Sequence, residues 1–244
     1  MPIAKSLMPI AAVACMIVLA ACSTPPPPDR AEHAVSALNA EFIDLRATYA
    51  KLAHDGAKVF AIAPQPSTIG IYVFRGGNAK LGHNHVLSAP QFSGYFYLPS
   101  DGVTAARFDL EFRLDQLEID NPALRATLGP AFAAPQSADA IDGTRQHMLG
   151  DRNMQAAQFP LVRIHSLQIS GEAPKFAAKI QIELHGQTRE MWLPLNVEGL
   201  PDSLSVSGSF VLRQSDFGVK PYAALGGLIA VQDEVIVEFR LRSR

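Results

Sequence analysis

An all-β fold with helical additions is what this 244-residue chain predicts, on three observations. Apolar side chains recur with period two along most of the chain beyond residue 67, which places them on one face of a pleated strand. Turn residues interrupt that pattern so as to leave eight strands, at about 67–75, 91–99, 105–115, 161–169, 175–185, 189–198, 204–213 and 231–242. Ahead of Pro64 and Pro66 the period is instead seven, the mark of a helix. With 48% hydrophobic and 18% charged residues and a net charge of −2, the composition argues against intrinsic disorder and offers no basic excess for nucleic acid.

The first element is an export signal. Lys5 precedes an apolar run from Leu7 to Ala21, broken only by Pro9 and too short for a comfortable membrane span. Its end, Leu19-Ala20-Ala21-Cys22, resembles the lipobox of bacterial lipoproteins, which implies cleavage before Cys22 and acylation of its sulfur; the alternative is an ordinary secretory signal. Residues 1–21 are therefore expected to be a lipoprotein signal peptide and Cys22 the lipidation site. Ser23 after the cysteine, rather than Asp, implies by the same resemblance the outer membrane. Cys15 and Cys22 are the only cysteines, so the folded body has no thiol for a disulfide, a nucleophile or a Cys-rich zinc site.

Residues 22–31 contain Pro25 to Pro28 and read as a semi-rigid spacer. From 32 to 55, Val35, Leu38, Phe42, Leu45, Tyr49 and Leu52 alternate at spacings of three and four, a heptad seam on one helical face. That face fits packing on the domain, self-association, or contact with a partner or membrane, and the seam alone leaves these open.

Residues 64–244 form the β domain. Phe108, Leu110, Phe112 and Leu114 alternate with Asp109, Glu111 and Arg113, while Phe176, Ala178, Ile180, Ile182 and Leu184 alternate with Lys179, Gln181 and Glu183. Val206, Phe210 and Leu212 repeat the pattern, as do Val231, Val235, Val237, Phe239 and Leu241 opposite Glu234, Glu238 and Arg240. Half-buried antiparallel strands follow. The forty-odd residues between the third and fourth strands exceed a bare loop, and 122–128 and 137–148 read as short helices able to close one end of a barrel.

Four stretches carry a family resemblance: GTRQHMLGDRNMQAAQFPLVRIHS from Gly143 to Ser166, LHGQTREMWLPLNV from Leu184 to Val197, RQSDFGV from Arg213, and VQDEVIVEFRL from Val231. Over roughly residues 65–242 the chain resembles the YceI-like family. The resemblance implies a periplasmic, lipocalin-like eight-stranded antiparallel barrel that holds a long apolar chain such as a polyisoprenoid. The N-terminal helix, the lipid anchor and the insertion with PALRATLGPAF depart from the family's minimal pattern.

An eight-stranded barrel is wide enough either to be filled by its side chains or to hold one small ligand. If hollow, its expected lining is Phe108, Leu110, Phe112, Leu114, Ile180, Ile182, Leu184, Phe210, Leu212, Val235, Val237 and Phe239. Periodicity does not separate a lined tunnel from a packed core.

Gly82-His83-Asn84-His85 places two imidazoles on one face of an extended segment. They are candidates for a lipid head group, for a structural turn, or for a metal ion if His147, His165, His185 or Asp151 supplies a further ligand. Arg145, His147 and Arg152 are further head-group candidates, against the reading of a solvated charged loop. Ser215-Asp216 points to opposite faces of a strand and reads as a turn or cap. Trp192, the sole tryptophan, falls out of phase with Met191, Leu193 and Leu195 and is expected on the outer wall, under the heptad helix. No G-x-S-x-G, H-E-x-x-H, Walker or dinucleotide motif is present. The sequence thus points to a non-enzymatic, lipid-anchored periplasmic binding protein for a long-chain isoprenoid or similar amphiphile, without cofactor, without nucleic acid, and with helix-mediated self-association open. A metal protein built on His83 and His85, or a filled-barrel envelope scaffold, are the alternatives.

Overall fold

A computed structural model describes residues 44–54, 56–77 and 82–244. The signal peptide, Cys22, the proline spacer and the first half of the heptad segment lie outside the described residues. What is described of that segment is one short helix, α1 (Leu45–Ala50), whose N-cap Asp44 accepts a hydrogen bond from the Ala47 N–H at 2.9 Å.

Eight long strands form the wall: β1 (Lys58–Gly76), β3 (Ser93–Leu98), β4 (Arg107–Arg113), β6 (Leu161–Glu172), β7 (Lys175–Leu184), β8 (Gln187–Glu198), β9 (Ser205–Arg213) and β11 (Ile229–Ser243). Each pairs antiparallel with its neighbour, and β11 returns to β1 from Ile62↔Ser243 to Gly76↔Ala230. The eight strands thereby close into a barrel. Three short strands were not legible as periodic runs: β2 (His85–Ser88) and β5 (Glu118–Ile119), which extend the sheet beside β1, and β10 (Ala223–Ala224), which pairs with the start of β11.

The first strand departs most from expectation. It begins at Lys58, well before residue 67, and runs through Pro64 and Pro66. The prolines fit because the ladder with β11 slips between Ala63 and Thr68, so no amide donor is required there. Ser67 meets the irregularity by accepting the Arg242 N–H at 2.9 Å.

Cross-strand register puts the predicted apolar faces inside. Ile71 and Val73 lie opposite Val237 and Val235, which lie opposite Phe210 and Leu212 in turn. Phe96 lies opposite Phe108, and Leu110 opposite Ile164. The β7–β8 turn is His185-Gly186, both left-handed (φ 53° and 67°), the geometry that suits a two-residue hairpin. A side chain at 186 would collide with Phe159, whose ring lies 2.6 Å from the position of its Cβ.

The insertion forms α2 (Pro122–Thr127), capped by Asn121, and α3 (Ala138–Leu149), capped by Ser137. Arg145 of α3 donates to the carbonyls of Leu117 (2.9 Å) and Asp115 (3.3 Å), strapping the helix over the end of the barrel where β4 finishes. At the outer wall Tyr49 of α1 stacks on Tyr95 (centroids 5.4 Å apart) and donates to Asp109 at 2.6 Å, while Asp109 also meets His165 at 2.6 Å. The described part of the N-terminal segment therefore packs on β3 and β4.

Trp192 is on the outer wall, 50% exposed, but on β8, remote from α1. Ser215 and Asp216 lie in a 3-10 turn, in which Ser215 donates to Asp233 through both its backbone N–H and its hydroxyl, a turn role.

Candidate functional site

The barrel is hollow. A cavity of about 490 Å³ runs from Ile62, Leu200 and Leu204 at one end to α3, Tyr222 and Gly82–His85 at the other. Its volume is in the range of small-molecule sites. This removes the filled-barrel arrangement that the sequence left open.

Of the expected lining, Phe108, Leu110, Phe112, Leu114, Ile180, Leu184, Phe210, Leu212, Val235, Val237 and Phe239 all reach the cavity. Ile182 does not: it is buried in the core around the cavity without lining it. Periodicity puts a residue on the inner face, while reaching the cavity depends on what packs in front of it. The sequence missed the part of the lining contributed by β1 (Ile69, Ile71, Val73) and by α3 (Thr144, Met148), for which half-buried strand and helix patterns were the available signals.

Polar groups gather at the α3 end. His83 and His85 both line the cavity, their rings 4.8 Å apart in an edge-on arrangement. Behind His85 lies a buried ion pair that the sequence did not single out. Asp120 is 1% exposed and accepts from His85 Nδ1 at 2.7 Å, from the Val86 N–H at 3.0 Å, and from Arg125 Nη1. Arg125, itself buried, also donates to the carbonyls of Asn84 (2.9 Å) and Ala134 (3.1 Å). Asn84 in turn accepts from the Arg75 N–H and donates to Ala131. The Gly82–His85 segment is thus pinned to the insertion by a network of charge-assisted bonds.

The electrostatics follow from that arrangement. Burial alone would raise the Asp120 pKa, but the bonds from His85 and Val86 and the nearby Arg125 outweigh it and hold the carboxyl below its ordinary value. An ionised carboxylate only accepts, so His85 Nδ1 carries a proton and its Nε2 is left for the cavity. The His83 pKa is lowered, first by burial and then by the neighbouring His85, which keeps this imidazole uncharged at neutral pH.

The other expected site residues fall apart from this pair. His147 lines the cavity and meets Tyr222, ring centroids 5.0 Å apart. Arg145 does not line the cavity and is committed to the main-chain carbonyls of Asp115 and Leu117, and Arg152 is exposed and outside the lining as well. His165 belongs to the outer wall with Asp109, and His185 Nδ1 is taken by the Phe217 carbonyl at 3.0 Å. Among the described residues no group of three metal-binding side chains forms around His83 and His85.

A closed antiparallel barrel with one apolar cavity and a polar end belongs to the lipocalin-like class of binding folds. The chain belongs to the YceI-like family: residues 60–243 match the YceI-like domain. Among solved structures it is similar to BcnA of Burkholderia cenocepacia, with a TM-score of 0.54 and 13% identity over 75% of this chain and 99% of that one. A YCEI protein of Campylobacter jejuni gives a TM-score of 0.46 at 11% identity over 69% of this chain and 85% of that one. At 13% identity the likeness to BcnA is one of fold. No curated protein matches the sequence.

Proposed function

We propose that this protein is a lipid-anchored carrier of the bacterial envelope. It faces the periplasm, is held by acylated Cys22 with the outer membrane favoured by Ser23, and encloses one long-chain isoprenoid or similar amphiphile without covalent chemistry. The observation that carries the reading is the apolar cavity of about 490 Å³ along the barrel, with its imidazoles at one end. An apolar tail fits the lining from Phe108 to Phe239, and each 100 Å² of tail surface removed from water contributes about 2.5 kcal/mol. His83 and the Nε2 of His85 offer hydrogen bonds to a hydroxyl or carbonyl oxygen on the head group, while Asp120 and Arg125 fix His85 in place. The family resemblance supports the same class of ligand.

The test is native mass spectrometry of the chain exported with a lipobox-free signal and purified without detergent, followed by solvent extraction. A near-stoichiometric long-chain lipid supports the carrier. A bare polypeptide mass that persists after challenge with isoprenoids overturns it, and an added mass of one zinc or iron transfers the site to His83 and His85 as metal ligands. Labelling with radioactive palmitate, lost in Cys22→Ser, tests the anchor separately.

A further inference from the structure

The α3 end of the barrel carries a feature that ligand binding inside does not use. Between Asp216 and Asp233 the chain holds sixteen residues with a single charge, Lys220. At the centre of this run, Leu225, Gly226 and Gly227 are all left-handed (φ 51°, 67° and 87°), a tight turn that projects Leu225 and Leu228 outward. Leu225 is 69% exposed and Leu228 45%, and Leu225 is the most exposed of the large apolar side chains in the described residues. A bulky residue at positive φ is costly, so a turn that spends it to present leucine to water points to a contact partner.

The turn is continuous with the cavity. Tyr222 before it and Ile229 after it both line the cavity at the α3 end. The described N-terminal segment begins at that same end. α1 starts beside Arg113 and Gln116, at the end of the barrel where α3 is strapped, and its far side reaches His54 against Tyr97, toward the opposite end. Cys22 lies twenty-two residues before Asp44, so the tether spans at most about 75 Å if extended. It therefore reaches a bilayer lying against the α3 end.

We propose that the Leu225–Leu228 turn inserts into the surface of a lipid bilayer, seating the cavity mouth on the membrane that holds Cys22. An apolar ligand then passes between hydrocarbon and cavity along Tyr222 and Ile229 with little exposure to water. The orientation rests on the anchor and carrier reading above; the insertion itself is independent of it and is tested without either.

Residues 23–244, exported with a lipobox-free signal and purified without detergent so that Cys15 and Cys22 are both absent, are mixed with vesicles of phosphatidylethanolamine and phosphatidylglycerol. Because the folded body has no cysteine, Leu225→Cys and, at the opposite end, Asp202→Cys each accept one environment-sensitive fluorophore. The label at 225 is expected to shift to the blue and to be quenched by lipids brominated in their acyl chains, and the label at 202 to remain in water. Leu225→Asp with Leu228→Asp is expected to lower vesicle partitioning at least about tenfold, since two inserted leucines are lost, with melting temperature unchanged. Equal quenching at both positions, or vesicle binding unaffected by the double substitution, overturns the insertion. Partitioning to vesicles that is absent, with the two aspartates instead abolishing a complex with an envelope protein, assigns the turn to a protein partner and overturns it equally. Failure of palmitate labelling alone removes the tether but leaves the insertion standing.

Discussion

Asp120→Asn isolates the buried ion pair behind His85. Asparagine keeps the shape and tolerates the left-handed backbone at this position (φ 53°), so the change is chiefly one of charge. It leaves the Arg125 guanidinium, 4% exposed, without its counter-ion. Removing one partner of a buried pair costs about 3–5 kcal/mol, and for a domain of this size that lowers the melting temperature by roughly 6–20 °C. The pH dependence has a definite sign. Asp120 is held below its ordinary pKa, so its contribution is present above the unfolded carboxyl value near 4 and is lost as pH falls through the lower, folded one. Thermal melts from neutral pH downward are therefore expected to show the largest gap between wild type and variant near neutrality, closing in acid. Adding Arg125→Met removes the orphaned charge and is expected to recover part of the loss, because neutral replacements of a whole buried pair are often tolerated. A single variant melting within about 2 °C of wild type, or a gap that widens in acid, refutes this account of the site.

The remaining expectations concern the cavity and its outer support. His83→Ala leaves Asp120 and Arg125 paired and is expected to reduce co-purified lipid about tenfold, the worth of one hydrogen bond, with little change in melting; unchanged lipid with a large fall in melting temperature would make His83 structural. Val237→Trp places an indole in the cavity from β11 and is expected to exclude lipid from the extract while the barrel still folds, as circular dichroism and mass spectrometry of the purified variant would show. Tyr49→Phe removes the hydroxyl that meets Asp109, a bond to a charged group worth about 1.5–3 kcal/mol. Faster amide exchange across residues 45–50 is expected, and unaltered exchange would show that stacking on Tyr95 alone holds α1.

What was legible in the sequence was whatever has a period. The alternation from Phe176 to Leu184 became β7 at nearly the predicted bounds, and the helical stretches expected at 122–128 and 137–148 became α2 and α3. Strands of two and four residues carry no measurable period, so β2, β5 and β10 stayed hidden. The prolines of β1 masked its first half because an irregular ladder there dispenses with their missing donors. At the site, adjacency along the chain exposed His83 and His85 but not their support. Asp120 reaches His85 across thirty-five residues, and Arg125 reaches Asp120 only because α2 starts between them. Arg145 was chosen for its charge, and the structure gives that charge to two carbonyls instead. Charge in a sequence identifies a donor without identifying its acceptor.

The hollow interior is the hardest feature to reconcile with stability, and for that reason the most informative. An apolar void costs about 24 cal/mol per Å³ in a core that fails to collapse, so a cavity of about 490 Å³ corresponds to a cost on the order of 10 kcal/mol. That is comparable to the whole stability of an ordinary domain. Collapse is blocked by geometry: eight strands closed through β1 and β11 fix the circumference, and hydrogen bonds around the ring resist flattening. The inward set also forgoes available bulk, with valine at 206, 235 and 237 where larger side chains would fill the space from β9 and β11. A sequence under pressure for stability alone would have filled it. The stabilisation that the lining forgoes is of the kind an apolar ligand would supply, through dispersion contacts and dehydrated surface. On the carrier reading such a ligand would complete the hydrophobic core, and the imidazoles at the α3 end mark where the apolar lining meets polar chemistry.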